Sequence, residues 1–263
     1  PLFWKFLPES LIFLVKAKKE DQARYFLQKV EPAAQVSADT QLVLASTDQT
    51  GSTSVKELFT ENRAVGTFLF WLAFFMCLLM LYALGSWLPK LMMAAGYSLG
   101  SSLMFLLALN VGAVIGTISG GVLADRFDFK RVLIGMLVVG VLSLVGLGFN
   151  SPQPVIYLLV SLAGASSIGS SILLYSYVAQ YYPVAVRSTG IGWASAVGRT
   201  GAIVGPIVIG MLLGMELPHK WNFIAVAIPG IIGALAIFFI RPAKKAEIKA
   251  EPKVVAPTQA IRS

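Results

Sequence analysis

Residues 112–131 read GAVIGTISGGVLADRFDFKR, an apolar run with evenly spaced glycines that ends in a charged segment. Gly112, Gly116 and Gly120 stand four residues apart, so they share one helix face, on which small residues let a second backbone approach closely. A second apolar run begins at Val132. The pattern predicts two membrane-spanning helices that are joined by a short charged loop over 124–131.

The composition of the whole chain extends this prediction. Of the 263 residues, 56% are hydrophobic and 13% are charged, whereas soluble domains carry about 25% charged residues. A helix needs about 20 predominantly apolar residues to cross the hydrocarbon core of a bilayer. Six stretches meet this requirement, and they predict an all-α membrane protein with a six-helix bundle: 64–88, 101–123, 132–149, 155–178, 189–214 and 221–240.

The basic residues divide unequally between the two sides that six spans create. The side with the loops near 89–100, 150–154 and 215–220 holds two, Lys90 and Lys220, whereas the side with both chain ends holds 18. Cytoplasmic segments of membrane proteins are enriched in Lys and Arg, so both ends are predicted to be cytoplasmic. The net charge of +8 is therefore attributed to the basic residues that orient the protein in the membrane, and not to nucleic-acid binding.

Three regions follow from the pattern. Residues 1–63 are interpreted as the end of a preceding helix followed by a polar cytoplasmic loop, and residues 64–241 as the transmembrane bundle. Residues 242–263, with Pro, Lys, Glu and Ala, are predicted to be a disordered cytoplasmic tail. The apolar opening over 1–14 is too short to span, and the chain starts at Pro1, so we expect it to be a fragment.

The six spans contain little that could perform chemistry. All 13 acidic residues and His219 lie outside them, and Cys77 is the single cysteine. Metal and hydrolytic sites need clustered His, Cys or carboxylate side chains. No catalytic residue, metal or cofactor is therefore predicted, and the protein is not expected to be an enzyme.

Arg199 is the one charged residue within a span. A charge at the bilayer centre costs at least about 2.5–3.5 kcal/mol, so its side chain is expected to face a cavity or a partner. A guanidinium binds a carboxylate through two parallel hydrogen bonds. The alternative is an Arg held by backbone carbonyls or by an acid elsewhere. The nearby glycines 198, 201 and 205 would leave room for a ligand or for a close helix.

Four further residues are candidates on their chemistry alone. Tyr175 combines a ring with a hydroxyl and is assigned to the cavity, and Trp71 could line an aromatic pocket or simply pack. Asn110 lies near the middle of its span and must find a hydrogen-bond partner, on another helix or on a substrate. Arg187 stands where a helix begins and opposes the dipole, so an acidic or phosphate partner is expected.

Three segments resemble the major facilitator superfamily. Gly-Gly-x-Leu-Ala-Asp-Arg-Phe-x-x-Lys-Arg at 120–131 resembles the signature between the second and third helices of a six-helix half. Leu-Pro-Glu-Ser-x-x-Phe-Leu at 7–14 resembles the segment after the sixth helix. The third segment resembles the eleventh helix of the bacterial aromatic acid:proton symporters, which transport benzoate and hydroxybenzoate: Pro183-x-x-x-Arg187-Ser-Thr-Gly190-x-Gly192, Gly198-Arg199 and Gly205-Pro206.

The resemblance implies that the chain is the C-terminal half, helices 7–12, of a twelve-helix transporter in the bacterial inner membrane. Its partners would be the N-terminal six-helix half, the bilayer, protons and a small aromatic carboxylate. The leading hypothesis, from the side-chain chemistry, is that Arg199 holds the carboxylate and that Tyr175, Asn110 and Trp71 complete the substrate site. A cytoplasmic gating loop would contain Asp125, Arg126, Lys130, Arg131 and Arg187.

Alternatives remain within and outside this class. A facilitator of another solute, such as a sugar, a dicarboxylate or a drug, would share the fold, and so would a non-transporting sensor or assembly protein. The sugar-porter ending Pro-Glu-Thr-Lys-Gly is absent after the last span, where Arg241-Pro-Ala-Lys stands, and this disfavours a sugar. The facilitator signature usually has Gly and Arg where this chain has Asp128 and Phe129.

Overall fold

The computed structural model describes residues 54–149, 151–215 and 217–241, together with Leu14, Lys19, Gln22, Tyr25 and Phe26. The chain divides into two compact units, Pro1–Ser52 and Thr53–Ser263. In the first unit, the backbone N–H of Lys19 donates to the carbonyl of Leu14 at 2.9 Å. The predicted helix end before residue 14, the polar linker and the tail over 242–263 lie outside the described residues.

The second unit contains six long helices after a short 3-10 helix, Val55–Phe59. All six are long and apolar enough to cross a membrane, so the predicted six-helix transmembrane bundle is confirmed. The helices are α1 (Ala64–Ala94), α2 (Leu99–Arg126), α3 (Phe129–Leu147), α4 (Gln153–Tyr181), α5 (Val184–Gly214) and α6 (His219–Phe239).

Several helices continue beyond the predicted spans. α1 passes through Pro89 and ends at Ala94, where Gly96 adopts a φ of 95°. Backbone hydrogen bonds from Gly96 to Met93 and from Tyr97 to Met92 close a Schellman motif there. α5 begins at Val184, five residues before the predicted start. The predicted ranges mark apolar stretches, and the helices that contain them extend further at these ends.

The predicted charged loop over 124–131 is also wrong in its length. α2 and α3 are separated by Phe127 and Asp128 alone, which cap the two helices. The charged side chains therefore lie on helix ends: Asp125 and Arg126 on α2, Lys130 and Arg131 on α3.

The packing of the helices repeats itself. α1 packs most extensively on α5, and α2 packs in the same way on α4. α3 packs on α4 as α6 packs on α1, and α3 and α6 contact each other. Exchanging α1–α3 for α4–α6 leaves this pattern unchanged. Because α1 and α4 enter the membrane from opposite sides, the two three-helix units form an inverted repeat.

Glycines create the contact between α2 and α4. A Cβ on Gly112 would overlap the backbone of Ser161, and one on Gly116 would overlap the backbone of Ala165. Gly120 is buried against the side chains of Leu173 and Met136. The predicted close approach is therefore confirmed at the first two glycines, while the third accommodates side chains.

The contact between α1 and α5 is built in the same way. A Cβ on Gly201 would overlap the backbone of Phe75, and one on Gly205 would lie 2.5 Å from the carbonyl oxygen of Leu79. In both closely packed helix pairs, glycines face backbone atoms of the neighbouring helix. The missing side chain permits the close packing typical of membrane helices.

Candidate functional site

Arg199 lies halfway along α5, on a side of the helix that none of α1–α4 and α6 covers. Ile203, one turn after Arg199, is 66% exposed, and Trp193, six positions before it and about 120° around the helix, is 43% exposed. Within the described part of the chain, Arg199 makes no hydrogen bond and no ion pair. The structure therefore presents a free guanidinium on an apolar helix surface.

The glycines beside Arg199 face away from it. Gly198 is buried against Phe74 and Leu78, and Gly201 is buried against the backbone of α1. Of the two expected roles, room for a ligand or for a close helix, the structure shows the second. The open space at Arg199 comes from the uncovered side of α5.

Two tryptophans stack beside this open side. The rings of Trp71 on α1 and Trp193 on α5 lie 6.0 Å apart with 26° between their planes. Phe59 and Phe68 meet Trp71 edge-on, at 5.7 and 5.6 Å. The Nε1 of Trp71 is buried and has no partner among the described residues. Sequence reasoning missed Trp193, because its place six residues before Arg199 puts it about 120° around the helix and its stacking on Trp71 is a tertiary contact.

Tyr175 joins α4 to this region. Its hydroxyl lies 3.0 Å from the Oγ of Ser195, which is one turn before Arg199 on α5. Its ring meets Phe74 edge-on at 4.8 Å, and Phe74 is one turn after Trp71 on α1. The structure therefore brings Tyr175, Trp71 and the first half of α5 together. Ser195 is a second residue that sequence reasoning did not select.

Asn110 is not part of this group. It is exposed on α2, and its Nδ2 donates to the carbonyl of Leu106 on the same helix at 2.8 Å. α2 and α5 do not pack against each other. The expected partner was another helix or a substrate, and the partner of the amide N–H that the structure shows is the preceding turn of α2.

The residues of the predicted gating loop have unequal surroundings. The Nζ of Lys130 donates to the carbonyl of Ile240 at 2.7 Å, which satisfies a free acceptor at the end of α6. Asp125, Arg126 and Arg131 are exposed and make no hydrogen bond or ion pair within the described residues. Lys130 is therefore a tether between α3 and α6, and the other three charges are available to partners.

Arg187 belongs to a polar junction at the basic end of the bundle. Its Nε donates to the carbonyl of Tyr182 at 3.5 Å, so the partner in the structure is a backbone oxygen. The Thr67 hydroxyl donates to the carbonyl of Leu58 at 2.8 Å, and since it has one proton, the Tyr182 hydroxyl must donate to Thr67, also at 2.8 Å. Burial raises the pKa of Tyr182, which keeps this donor protonated. The relay fixes the 3-10 helix to α1 and α4.

The open side of α5 carries side chains of the kinds that take part in non-covalent recognition. Its groups are a guanidinium, two indoles and the paired hydroxyls of Tyr175 and Ser195, which can hold an anion and an aromatic ring without covalent bonds. Among the described residues, no three His, Cys, Asp or Glu side chains are grouped as metal ligands. Cys77 is a free, buried cysteine within α1.

Comparison with known proteins adds relatives to this geometry. The profile of the family described as Major Facilitator Superfamily matches residues 70–263. The benzoate transport protein of Acinetobacter baylyi is 48% identical over 237 residues, which cover 90% of this chain and 51% of that protein. The gentisate transporter of Corynebacterium glutamicum is 40% identical over 183 residues, with 69% and 41% covered.

A third relative extends the range of substrates. The 4-hydroxybenzoate transporter PcaK of Acinetobacter baylyi is 33% identical over 245 residues, which cover 89% of this chain and 52% of that protein. The chain thus spans about half the length of the relatives that it matches. The substrates that these relatives' names give share a benzene ring and a carboxylate.

Proposed function

Since this chain belongs to the major facilitator superfamily, we propose that it forms the C-terminal six-helix half of a twelve-helix transporter that imports aromatic carboxylates together with protons. The observation that carries this proposal is the free guanidinium of Arg199 beside the exposed indole of Trp193 on an uncovered side of α5. The names of the relatives, transporters of benzoate, gentisate and 4-hydroxybenzoate, support the substrate class.

The dimensions of α5 suit such a substrate. Trp193 and Arg199 are six positions apart, which is about 9 Å along the helix axis and about 120° around it, so they flank the uncovered side of α5. An aromatic ring that stacks on the Trp193 indole would direct its carboxylate towards Arg199, whose long side chain spans the remaining distance. The planar guanidinium favours a carboxylate through its two parallel donors. The hydroxyls of Tyr175 and Ser195 would bind a ring substituent, with Trp71 supporting the stack from behind.

The other half of the transporter would close the site. The uncovered sides of α2 and α5 are apolar surfaces on which a second six-helix bundle can pack. Substrate sites of such transporters lie near the bilayer midplane between the two halves, which rock against each other. Asn110 would lie on the α2 side of the cavity, across from Arg199.

We assign the remaining regions accordingly. Residues 1–63 would contain the connection to the other half, and residues 242–263 would be a cytoplasmic tail. The basic end of the bundle would face the cytoplasm of a bacterial inner membrane. Asp125 and Arg126 would form a latch with the other half, while Arg131 would stay outside it, and Arg187 with Lys130 would hold the helix ends against which the latch closes.

Proton coupling is assigned to the other half. Proton relays in transporters use carboxylates or histidines at membrane depth. In α1–α6, the acidic side chain of Asp125 lies in the last turn of α2, and the middle of every helix lacks an acid. The carboxylates that bind the transported proton would therefore face this half across the cavity.

Uptake by the full-length transporter in proteoliposomes tests the proposal. Labelled benzoate should accumulate when the vesicle interior is alkaline, and 4-hydroxybenzoate and gentisate should compete. Glucose, succinate and cationic drugs are the matched competitors for the alternative solutes. If succinate or glucose competes and hydroxybenzoate does not, the assignment to aromatic carboxylates is wrong. The six-helix bundle alone should accumulate no benzoate, because one wall of its cavity is absent.

A further inference from the structure

A second binding feature lies away from the open side of α5. α2 and α3 follow each other in the chain but contact each other little, because α2 packs mainly on α4 and α3 packs about equally on α4 and α6. A groove of about 390 Å³ opens between them, with α4 as its floor. Gly120 and Leu123 of α2 and Gly135 and Met136 of α3 line its walls, and Ala165 lies on the floor.

The long shape of this groove suits an extended acyl chain better than a compact aromatic ring. Along α2 it extends from Phe127 to Gly116. Eleven residues of helix measure about 16 Å, which is the length of a large part of a lipid acyl chain. The walls are almost entirely apolar, and Phe127 at the basic end is 62% exposed.

A single cation closes the basic end of the groove. Arg131 lines it, is exposed, and has no hydrogen bond or ion pair within the described residues. The other charged residues at the junction of α2 and α3 do not line the groove. Lys130 is bound to the carbonyl of Ile240, and Asp125, Arg126 and Asp128 are exposed without lining the groove. Arg131 also lies in the first turn of α3, where the helix dipole adds positive potential.

We propose that this groove binds an anionic phospholipid, with one acyl chain between α2 and α3 and the phosphate on Arg131. The charge and the apolar surface occur in the order that a lipid requires, with the cation at the membrane interface and the walls at hydrocarbon depth. The guanidinium offers a phosphate two parallel hydrogen bonds. The site is separate from Arg199, so the proposal stands whether or not the transported solute is an aromatic carboxylate.

The structure provides two matched pairs of variants. Gly135→Leu should fill the groove without disturbing the fold, because a Cβ at Gly135 meets nothing within 4 Å. Gly121→Leu is its control, since Gly121 is equally unobstructed but does not line the groove. Arg131→Ala removes the cation, and Arg126→Ala removes another exposed arginine, which lies outside the groove.

Native mass spectrometry of the purified full-length transporter provides the measurement, with phosphatidylglycerol and phosphatidylcholine of equal chain length in the detergent micelle. The wild type, Gly121→Leu and Arg126→Ala should retain phosphatidylglycerol in preference. Arg131→Ala should bind both lipids equally, and Gly135→Leu should retain neither at this site. Excess glycerol phosphate should not displace the lipid, because it lacks the chain.

Three results would overturn the proposal. Wild-type lipid retention in both Arg131→Ala and Gly135→Leu would show that the other half or another surface covers the groove. Displacement of the lipid by benzoate would make the groove a site for the transported solute. Displacement by glycerol phosphate would reduce it to an anion site without a lipid chain. The monodispersity of each variant in gel filtration identifies any that has failed to fold.

Discussion

α2 and α5 occupy equivalent places in the two three-helix units, yet only their buried sides are alike. Each buried side presents glycines to a backbone, Gly112 to α4 and Gly201 to α1. The uncovered sides differ. On α2 an amide N–H of Asn110 is bonded to its own helix, whereas on α5 Arg199 has no described partner and shares the uncovered side with an exposed tryptophan.

This difference distinguishes two requirements on the repeated architecture, helix packing and solute recognition. The inverted repeat needs the same close helix contact twice, so the same solution appears in both units. A solute with one charged end needs only one guanidinium to bind it. The side chains on the uncovered sides of α2 and α5 can therefore differ. The comparison predicts that mutations on the buried sides of α2 and α5 act alike and that those on the uncovered sides do not.

The largest effect is expected on the shared buried sides. Gly112→Leu and Gly201→Leu should each abolish recovery of monodisperse full-length protein, because the new side chains would overlap backbone atoms that cannot move aside. Overpacking of a core typically costs about 1–3 kcal/mol even where side chains can adjust. Gly121→Leu and Gly214→Leu, where a Cβ meets nothing within 4 Å, are the controls and should be recovered normally. Unequal outcomes for the first two variants would break the equivalence of the helices.

A large effect on binding is expected at Arg199 alone. Hydrogen bonds to charged groups contribute about 1.5–3 kcal/mol, so Arg199→Ala should weaken benzoate binding by roughly 10- to 100-fold. Arg199→Lys should not restore it, because an ammonium lacks the planar pair of donors. Asn110→Ala is the equivalent change on α2 and should alter the affinity by less than about 2-fold. Calorimetry on purified, folded full-length protein measures all three, and wild-type affinity in Arg199→Ala would return this residue to a structural role.

A moderate effect is expected at Trp193. Aromatic pairs contribute about 0.5–1.5 kcal/mol beyond area burial, so Trp193→Leu should weaken binding of benzoate by roughly 2- to 10-fold. Binding of a cyclohexane carboxylate, if measurable, should change less, since that ring offers no π face. Trp221→Leu is the control, because Trp221 is equally exposed but lies at the start of α6 beside Lys220. A parallel loss for both carboxylates would argue for packing in place of ring stacking.

The smallest effect is expected at the junction of α2 and α3. Asp125 lies at the C-terminal end of α2, where negative charge is unfavourable, and Asp128 lies at the N-terminus of α3, where it is favourable. Asp125→Asn should therefore slow benzoate uptake by roughly 2- to 5-fold with unchanged affinity, if the acid is retained for a partner in the other half. Asp128→Asn should leave the rate unchanged. Equal rates in the wild type and Asp125→Asn would count against the latch.

The sequence predicted the helices better than their ends. Six apolar runs gave six helices, and matches to aromatic acid transporters confirm the family that residues 120–131 and 183–206 had indicated. The length of the charged loop was overestimated, because charged side chains at a membrane boundary remain helical. Such ends depend on interfacial hydrogen bonding that hydropathy does not measure.

The candidate site was predicted unevenly for a geometric reason. Arg199 stood out because a lone charge within a span is rare. The packing role of Gly201 could have been predicted from helix geometry. Each residue turns the helix by about 100°, so Gly201 lies about 200° from Arg199, on the opposite side of the helix. Trp193 and Ser195 required tertiary knowledge, because their significance comes from Trp71 on α1 and Tyr175 on α4.

The free guanidinium of Arg199 has a consequence for how such a protein is made. α5 must enter the bilayer with a charge near its middle, at a cost of at least about 2.5–3.5 kcal/mol that nothing described in this half offsets. In the proposed transporter, until the other half covers Arg199, the helix should sink, tilt or draw in water around that residue. Partly assembled copies should therefore expose a signal that membrane proteases and chaperones can recognise. The residue proposed to bind the solute would then also report whether the two halves have met.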